Sequence, residues 1–304
     1  MMKKSLCRFA RLFPLPLLAA PLFFASCSSD DSMTPIDEVK TPQRPISVEV
    51  SETPFGNTTE ARQLTRAAIT DLTSFSSFEM TANNPAKDHY KVTKNGSWVV
   101  DSSWPTDVDN NTSVNFYAYS KGDYNDNSGT PYISFSMDEN ASAQHDLLVA
   151  KNTVSYNDHQ GKVPLTFDHA CAALAFNVQI TNTLKTNKLS NGTLTVNSIV
   201  LRNVSNSGKY YFGTSTWGDV SGSAYYTLNS GNITVDTEAQ ALSSNYLFVI
   251  PQTRAVNGTT GTYLDVTYTF SGQTITSATI PLSVNWEAGK QYTINIKLGT
   301  TLIQ

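Results

Sequence analysis

Residues 292–298 read Tyr-Thr-Ile-Asn-Ile-Lys-Leu, with apolar and polar side chains alternating at every step. Successive side chains of an extended chain point to opposite sides, so Ile294, Ile296 and Leu298 share one face and Thr293, Asn295 and Lys297 the other. The same period of two returns at 46–50, 114–119, 132–137, 163–167, 174–180 and 264–270. Turn signals separate these runs at short intervals, and no stretch keeps a helical period over three turns. That spacing predicts an all-β chain built as β-sandwiches. Asn95-Gly96, between Tyr90-Lys91-Val92 and Trp98-Val99-Val100, predicts a hairpin, because both residues tolerate the positive φ of such turns.

The strand signals fall into two sets. Residues 181–192 are polar, carry Lys185 and Lys188 and show no strong apolar alternation, so they are read as the junction between an N-terminal sandwich (67–183) and a C-terminal one (184–304). In the first set Leu174, Phe176, Val178 and Ile180 share a face, with Ala175, Asn177 and Gln179 opposite. The run Ile46-Ser47-Val48-Glu49-Val50 stands apart. From Ser51 to Gln63 the chain is polar again, with Pro54 and Gly56, and reads as a flexible connection ending in Leu64-Thr65-Arg66-Ala67-Ala68. An Arg in such a connection is open to a trypsin-like protease.

The first 26 residues have a different logic. Lys3, Lys4, Arg8 and Arg11 precede an apolar run from Leu12 to Phe24, which Pro14, Pro16 and Pro21 interrupt. A spanning helix needs about 20 apolar residues, so this run suits a removable export signal better than an anchor. Phe24-Ala25-Ser26-Cys27 resembles a bacterial lipobox, with Phe24 in place of the usual Leu and Ser26 in place of the usual Gly or Ala. The expectation is a lipoprotein acylated on Cys27 and held to the outer membrane through that lipid; the alternative is an ordinary signal peptide whose cleavage falls near a Cys. Residues 27–66 then form a lipidated tether, with Pro35, Pro42 and Pro45 and an acidic start at Asp30-Asp31, that carries the isolated strand.

Loss of residues 1–26 removes four basic residues and no acidic ones, taking the formal charge from −4 to −8. A phosphate binder needs a basic face, so nucleic acid is excluded as a partner. Of three cysteines, Cys7 leaves with the signal and Cys27 is acylated, so the mature chain has no intrachain disulfide. Cys171, among small apolar residues in His169-Ala170-Cys171-Ala172, reads as a small core hydrophobe. About 280 mature residues suffice for two cores.

No catalytic constellation emerges. His89, His145, His159 and His169 have no metal-ligand spacing to one another or to Cys, and the adjacent pairs His145-Asp146, His159-Asp158 and His169-Asp168 would point to opposite faces of a strand. No catalytic residue, metal site or cofactor is assigned. Trp98, Trp104, Trp217 and Trp286 could serve a sugar-stacking platform or the cores, and β proteins use most aromatics for the latter.

Several ordered features together resemble the fimbrillins, pilus subunits of Bacteroidales. They are Cys27-Ser28-Ser29-Asp30-Asp31; Leu64-Thr65-Arg66-Ala67; residues 114–119 after Trp104-Pro105; Gln144-His145-Asp146-Leu147-Leu148-Val149-Ala150; Leu165-Thr166-Phe167-Asp168-His169-Ala170; Val249-Ile250-Pro251-Gln252; and Trp286-Glu287-Ala288-Gly289-Lys290-Gln291-Tyr292. The resemblance implies two tandem transthyretin-like β-sandwiches and a lipoprotein precursor carried to the cell surface. It also implies cleavage between Arg66 and Ala67 by an arginine-specific protease. Release of the strand bearing Ile46, Val48 and Val50 would then open a groove, filled by a strand of another fimbrial subunit. Only residues 299–304 follow Leu298, shorter than the donor extension of many stalk subunits, which points to a tip or accessory subunit with a host or bacterial surface ligand. A surface glycan-binding lipoprotein is the competing reading, and a secreted hydrolase, which would need a cleft with converging carboxylates, is a third.

Overall fold

The computed structural model describes residues 44–57, 75–83, 87–126, 129–190, 193–229, 231–243, 245–258, 260–270 and 273–300. Ten strands precede residue 170: β1 (Ser47–Glu52), β2 (Gly56–Asn57), β3 (Ser77–Asn83), β4 (Lys87–Asn95), β5 (Ser97–Val100), β6 (Val114–Tyr119), β7 (Asp123–Asn125), β8 (Tyr132–Ser136), β9 (Leu148–Val154) and β10 (Lys162–His169). Seven of them form one sheet in the order β1-β10-β9-β6-β3-β4-β5. The sheet curls until its outer strands β1 and β5 touch, and Pro45 bridges to Ser103 just beyond β5. Inside lies the first core, which includes Phe78, Met80, Phe116, Leu165 and Phe167 from the sheet and Trp104 from the loop after β5. The β4–β5 hairpin is present, with Asn95 paired to Ser97 and Gly96 at the tip at φ +74°.

The second half contributes β11 (Ala172–Ile180), β12 (Leu194–Val204), β13 (Ser207–Tyr211), β14 (Thr216–Ser221), β15 (Ala224–Asn229), β16 (Ile233–Val235), β17 (Gln240–Ala241), β18 (Leu247–Val249), β19 (Gln252–Arg254), β20 (Thr262–Phe270), β21 (Gln273–Leu282), β22 (Val284–Trp286) and β23 (Lys290–Leu298). One sheet runs β17-β11-β23-β2, with β18 also on β11; another runs β15-β12-β20-β21, with β16 also on β12. They enclose the second core, which takes Leu174, Phe176 and Val178 from the first sheet and Val196, Leu201 and Val266 from the second. The chain is thus all-β, and among the described residues no helix is long and apolar enough to cross a membrane.

Two structural features mark the junction. Strand β11, counted with the first sandwich by the division at 183/184, places Ala172, Leu174, Phe176, Val178 and Ile180 in the second core. Its alternation was legible, but not its partner: it pairs in parallel with β23 at the far end of the chain, and contacts of that range leave no local trace. Strand β11 also has neighbours on both edges and is buried on nearly every residue, including Asn177, whose side chain donates to Asn295 at 2.9 Å. Residues 181–190 are structured in their turn. Thr181 caps a short helical segment, accepting from the Leu184 N–H at 3.1 Å, and Leu184 and Leu189 enter the second core.

The halves also share a sheet of order β14-β13-β8-β7, in which β8 pairs antiparallel with β13. Behind it a third apolar cluster joins Ile133, Phe135 and Leu147 to Tyr210, Phe212 and Ile250.

Candidate functional site

Strand β1 lies at the edge of the seven-stranded sheet and runs parallel to β10, in register from Ser47 opposite Lys162 to Glu52 opposite Phe167. Its side chains alternate as the sequence predicts. Ile46, just before β1, is buried in the first core, and Val48 and Val50 pack against that core half-buried, while Ser47, Glu49 and Ser51 face outward. The strand is longer than expected and its sequel is ordered. It continues through Glu52, and Gly56–Asn57 add as β2 to the edge of β23, so residues 51–57 are not a flexible connection. They strap the first half to the second.

Both ends of β1 are clamped. At its start the Arg44 guanidinium donates to Asn110 Oδ1 at 2.6 Å and to the Pro105 carbonyl, and it lies over the Tyr156 ring. The Ser47 N–H donates to the Gly161 carbonyl at 2.9 Å. Gly161 has φ +78°, and a Cβ there would run into the Pro45 carbonyl oxygen, so the approach of β1 to β10 depends on a residue without a side chain.

At the far end the inward position after Val50 is Glu52, and the inward position after Phe167 on β10 is His169. Glu52 Oε1 lies 2.8 Å from His169 Nε2. Asp146 holds the other ring nitrogen, Nδ1, and also accepts from the Cys171 N–H at 3.2 Å. The side chains of His169 and Asp146 are each 1% exposed and that of Glu52 15%. The Phe55 ring stacks on the imidazole with centroids 3.7 Å apart, and its centroid lies 6.3 Å from that of Phe248. Next to this group the Cys171 thiol is fully buried, and burial together with the Asp146 carboxylate pushes it well above the usual thiol range.

Sequence reasoning found Ile46, Val48 and Val50 but not Glu52, Phe55 or the His169–Asp146 pair. An acidic residue on an inward face interrupts the apolar period, and Asp146 lies 23 positions from His169, so only the fold brings them together. Asp168, the sequence neighbour of His169, does face outward. Cys27, Arg66 and Ala67 lie outside the described residues. Trp104 and Trp286 are buried in the first and second cores, Trp98 packs against the first, and Trp217 packs against the cluster between the halves. Among the described residues no group of three or more His, Cys, Asp or Glu side chains is set to hold a metal ion.

The sequence profile described as fimbrillin-like matches residues 58–304. The chain belongs to that family. No curated protein matches the sequence. Among solved structures, this fimbrillin-like chain is similar to a fimbrial protein from Bacteroides vulgatus, with a TM-score of 0.60 and 19% identity over 84% of this chain and 96% of that one. It is also similar to a candidate cell adhesion protein from Bacteroides ovatus, with a TM-score of 0.50 and 16% identity over 86% and 95% of the two chains. At such identities the likeness is one of fold, and the fimbrillin-like fold here extends over both cores.

Proposed function

We propose that the chain is a non-catalytic structural and adhesive subunit of a cell-surface pilus, exported as a lipoprotein acylated on Cys27 and activated by cleavage between Arg66 and Ala67. Cleavage frees the segment that bears β1 and β2, and a strand from another subunit takes the vacated edge of β10. The observation that carries this reading is the position of β1. It is an edge strand whose inward side chains, Ile46, Val48 and Val50, complete a core built otherwise from strands that follow the expected cut. Burial of an aliphatic side chain contributes about 1.5–3 kcal/mol when complete. Without β1 the sheet would expose apolar core beside unpaired backbone groups, and an added strand relieves both. The seats of the four tryptophans in and against the apolar clusters weigh against a glycan-stacking platform. Limited trypsin digestion, mixing with a second pilus subunit and electrophoresis in SDS without boiling tests the reading. Wild type should form a complex that survives the detergent and Arg66→Ala should not; equal assembly by the two would overturn it.

A further inference from the structure

We infer that the strand which replaces β1 carries an acidic residue at the place of Glu52 and an aromatic ring three residues later, at the place of Phe55. This rests on the strand-release reading above and specifies the chemistry of the incoming partner. Along β1 the inward residues are Ile46, Val48, Val50 and Glu52, at every second position. Along β10 the buried residues with the same period are Val163, Leu165, Phe167 and His169. In register, Val48 stands opposite Val163, Val50 opposite Leu165 and Glu52 opposite Phe167, and the Glu52 carboxylate reaches diagonally to the imidazole of His169, the next buried residue on β10, 2.8 Å away.

The imidazole does not leave with the strand. His169 belongs to β10, and Asp146, which is nine-tenths or more buried like the ring itself, fixes its Nδ1 side, so Nε2 stays beside the space that Glu52 filled. A donor with an aliphatic side chain there would press carbon against a buried ring nitrogen, which is unfavourable without an acceptor. A carboxylate restores the contact to the imidazole, and a partner chosen by polarity at one deep position is a means of discrimination between strands otherwise alike in apolar pattern. Phe55 supplies the second feature. Its ring covers the imidazole at 3.7 Å, and the following Gly56 N–H donates to the Gly289 carbonyl at 2.8 Å, so the groove continues from the edge of β10 to the edge of β23. The fitting segment is thus an extended peptide, parallel to β10, with three alternate apolar residues, then Asp or Glu, then an aromatic three places on.

The test uses the full chain cleaved after Arg66 and fluorescent peptides, which leave the protein itself unaltered. One peptide has the sequence of residues 44–57; three others carry Glu52→Gln, Glu52→Leu or Phe55→Ala. Fluorescence anisotropy would follow their exchange into the cleaved chain. The unaltered peptide should bind best, with Glu52→Leu weaker by about tenfold or more, the loss expected when a buried polar group is left without its partner. Phe55→Ala should also weaken binding, and Glu52→Gln should fall between the parent and Glu52→Leu. Equal or tighter binding of the Glu52→Leu peptide would overturn the acidic requirement while leaving strand release intact. Undiminished binding of Phe55→Ala would overturn the aromatic one. If no peptide, the unaltered one included, enters the cleaved chain, strand release itself fails and the inference falls with it.

Discussion

The indole N–H of Trp217 donates to the carbonyl oxygen of Ala170 at 2.6 Å, which ties β14 to the turn where the chain passes from the first core to the second. The ring also packs edge-on against Phe135 and Tyr210. Trp217→Phe would keep much of the packing and lose the donor. A net hydrogen bond contributes about 1 kcal/mol, so the variant should unfold at a measurably lower urea concentration, with an unchanged dependence on denaturant. An unchanged midpoint would show that this bond adds nothing to the junction.

Gly161→Ala is expected to loosen β1 from its start. The residue would have to keep φ +78° or push the Pro45 carbonyl aside, and strain of that kind costs about 1–3 kcal/mol. Amide exchange read by mass spectrometry should show faster exchange across residues 47–52, whereas β12 and β20 in the second core should hold their protection. Uniform loss over both cores would mean that β1 is not an independent unit of stability.

Tyr119 and Tyr124 have stacked rings, and burial pushes both hydroxyls from 10.0 up to about 12. For a group whose value is raised on folding, the unfolded chain gives up its proton first as pH rises. The stability from these two residues is therefore complete below pH 10 and lost between pH 10 and about 12. Urea titrations at pH 9, 11 and 12, with tyrosinate absorbance recorded alongside, should show this decline. Tyrosinate that forms fully near pH 10 without loss of stability would contradict it.

Cys171 should be inert in the folded protein, because a thiol raised in this way supplies almost no thiolate at neutral pH. In protein expressed without its lipid, a thiol reagent should react only after denaturant is added. Rapid reaction in buffer would place the sulfur at the surface.

Cys27→Ala should abolish incorporation of a radioactive fatty acid and shift the protein out of the outer membrane fraction, since acyl chains supply the membrane affinity of such anchors. Unchanged labelling would refute acylation at that residue.

How much of this was legible before folding differs by region. Ile46, Val48 and Val50 announced an isolated edge strand because each obeys the period of two, and the structure gives them one inward face. Glu52 obeys the same geometry but not the same chemistry, so the apolar pattern ended one inward position early. Pro54 and Gly56 then favoured a loop, although Gly56 supports the close passage of the chain beside Lys290. The allegiance of β11 and the meeting of His169 with Asp146 were hidden for another reason. Both depend on which distant strands become neighbours, and alternation specifies a face without naming its partner.

The pairing of β8 with β13 has a mechanical meaning. Five residue pairs from Ser136 opposite Ser207 to Tyr132 opposite Tyr211 stitch the two halves together through backbone hydrogen bonds. Tension applied along these strands would strain every rung at once, and tension across them would have to open the rungs in turn. Two bodies joined by a linker alone would take up slack by swinging before they resisted, but two bodies that share a sheet resist from the first ångström of extension.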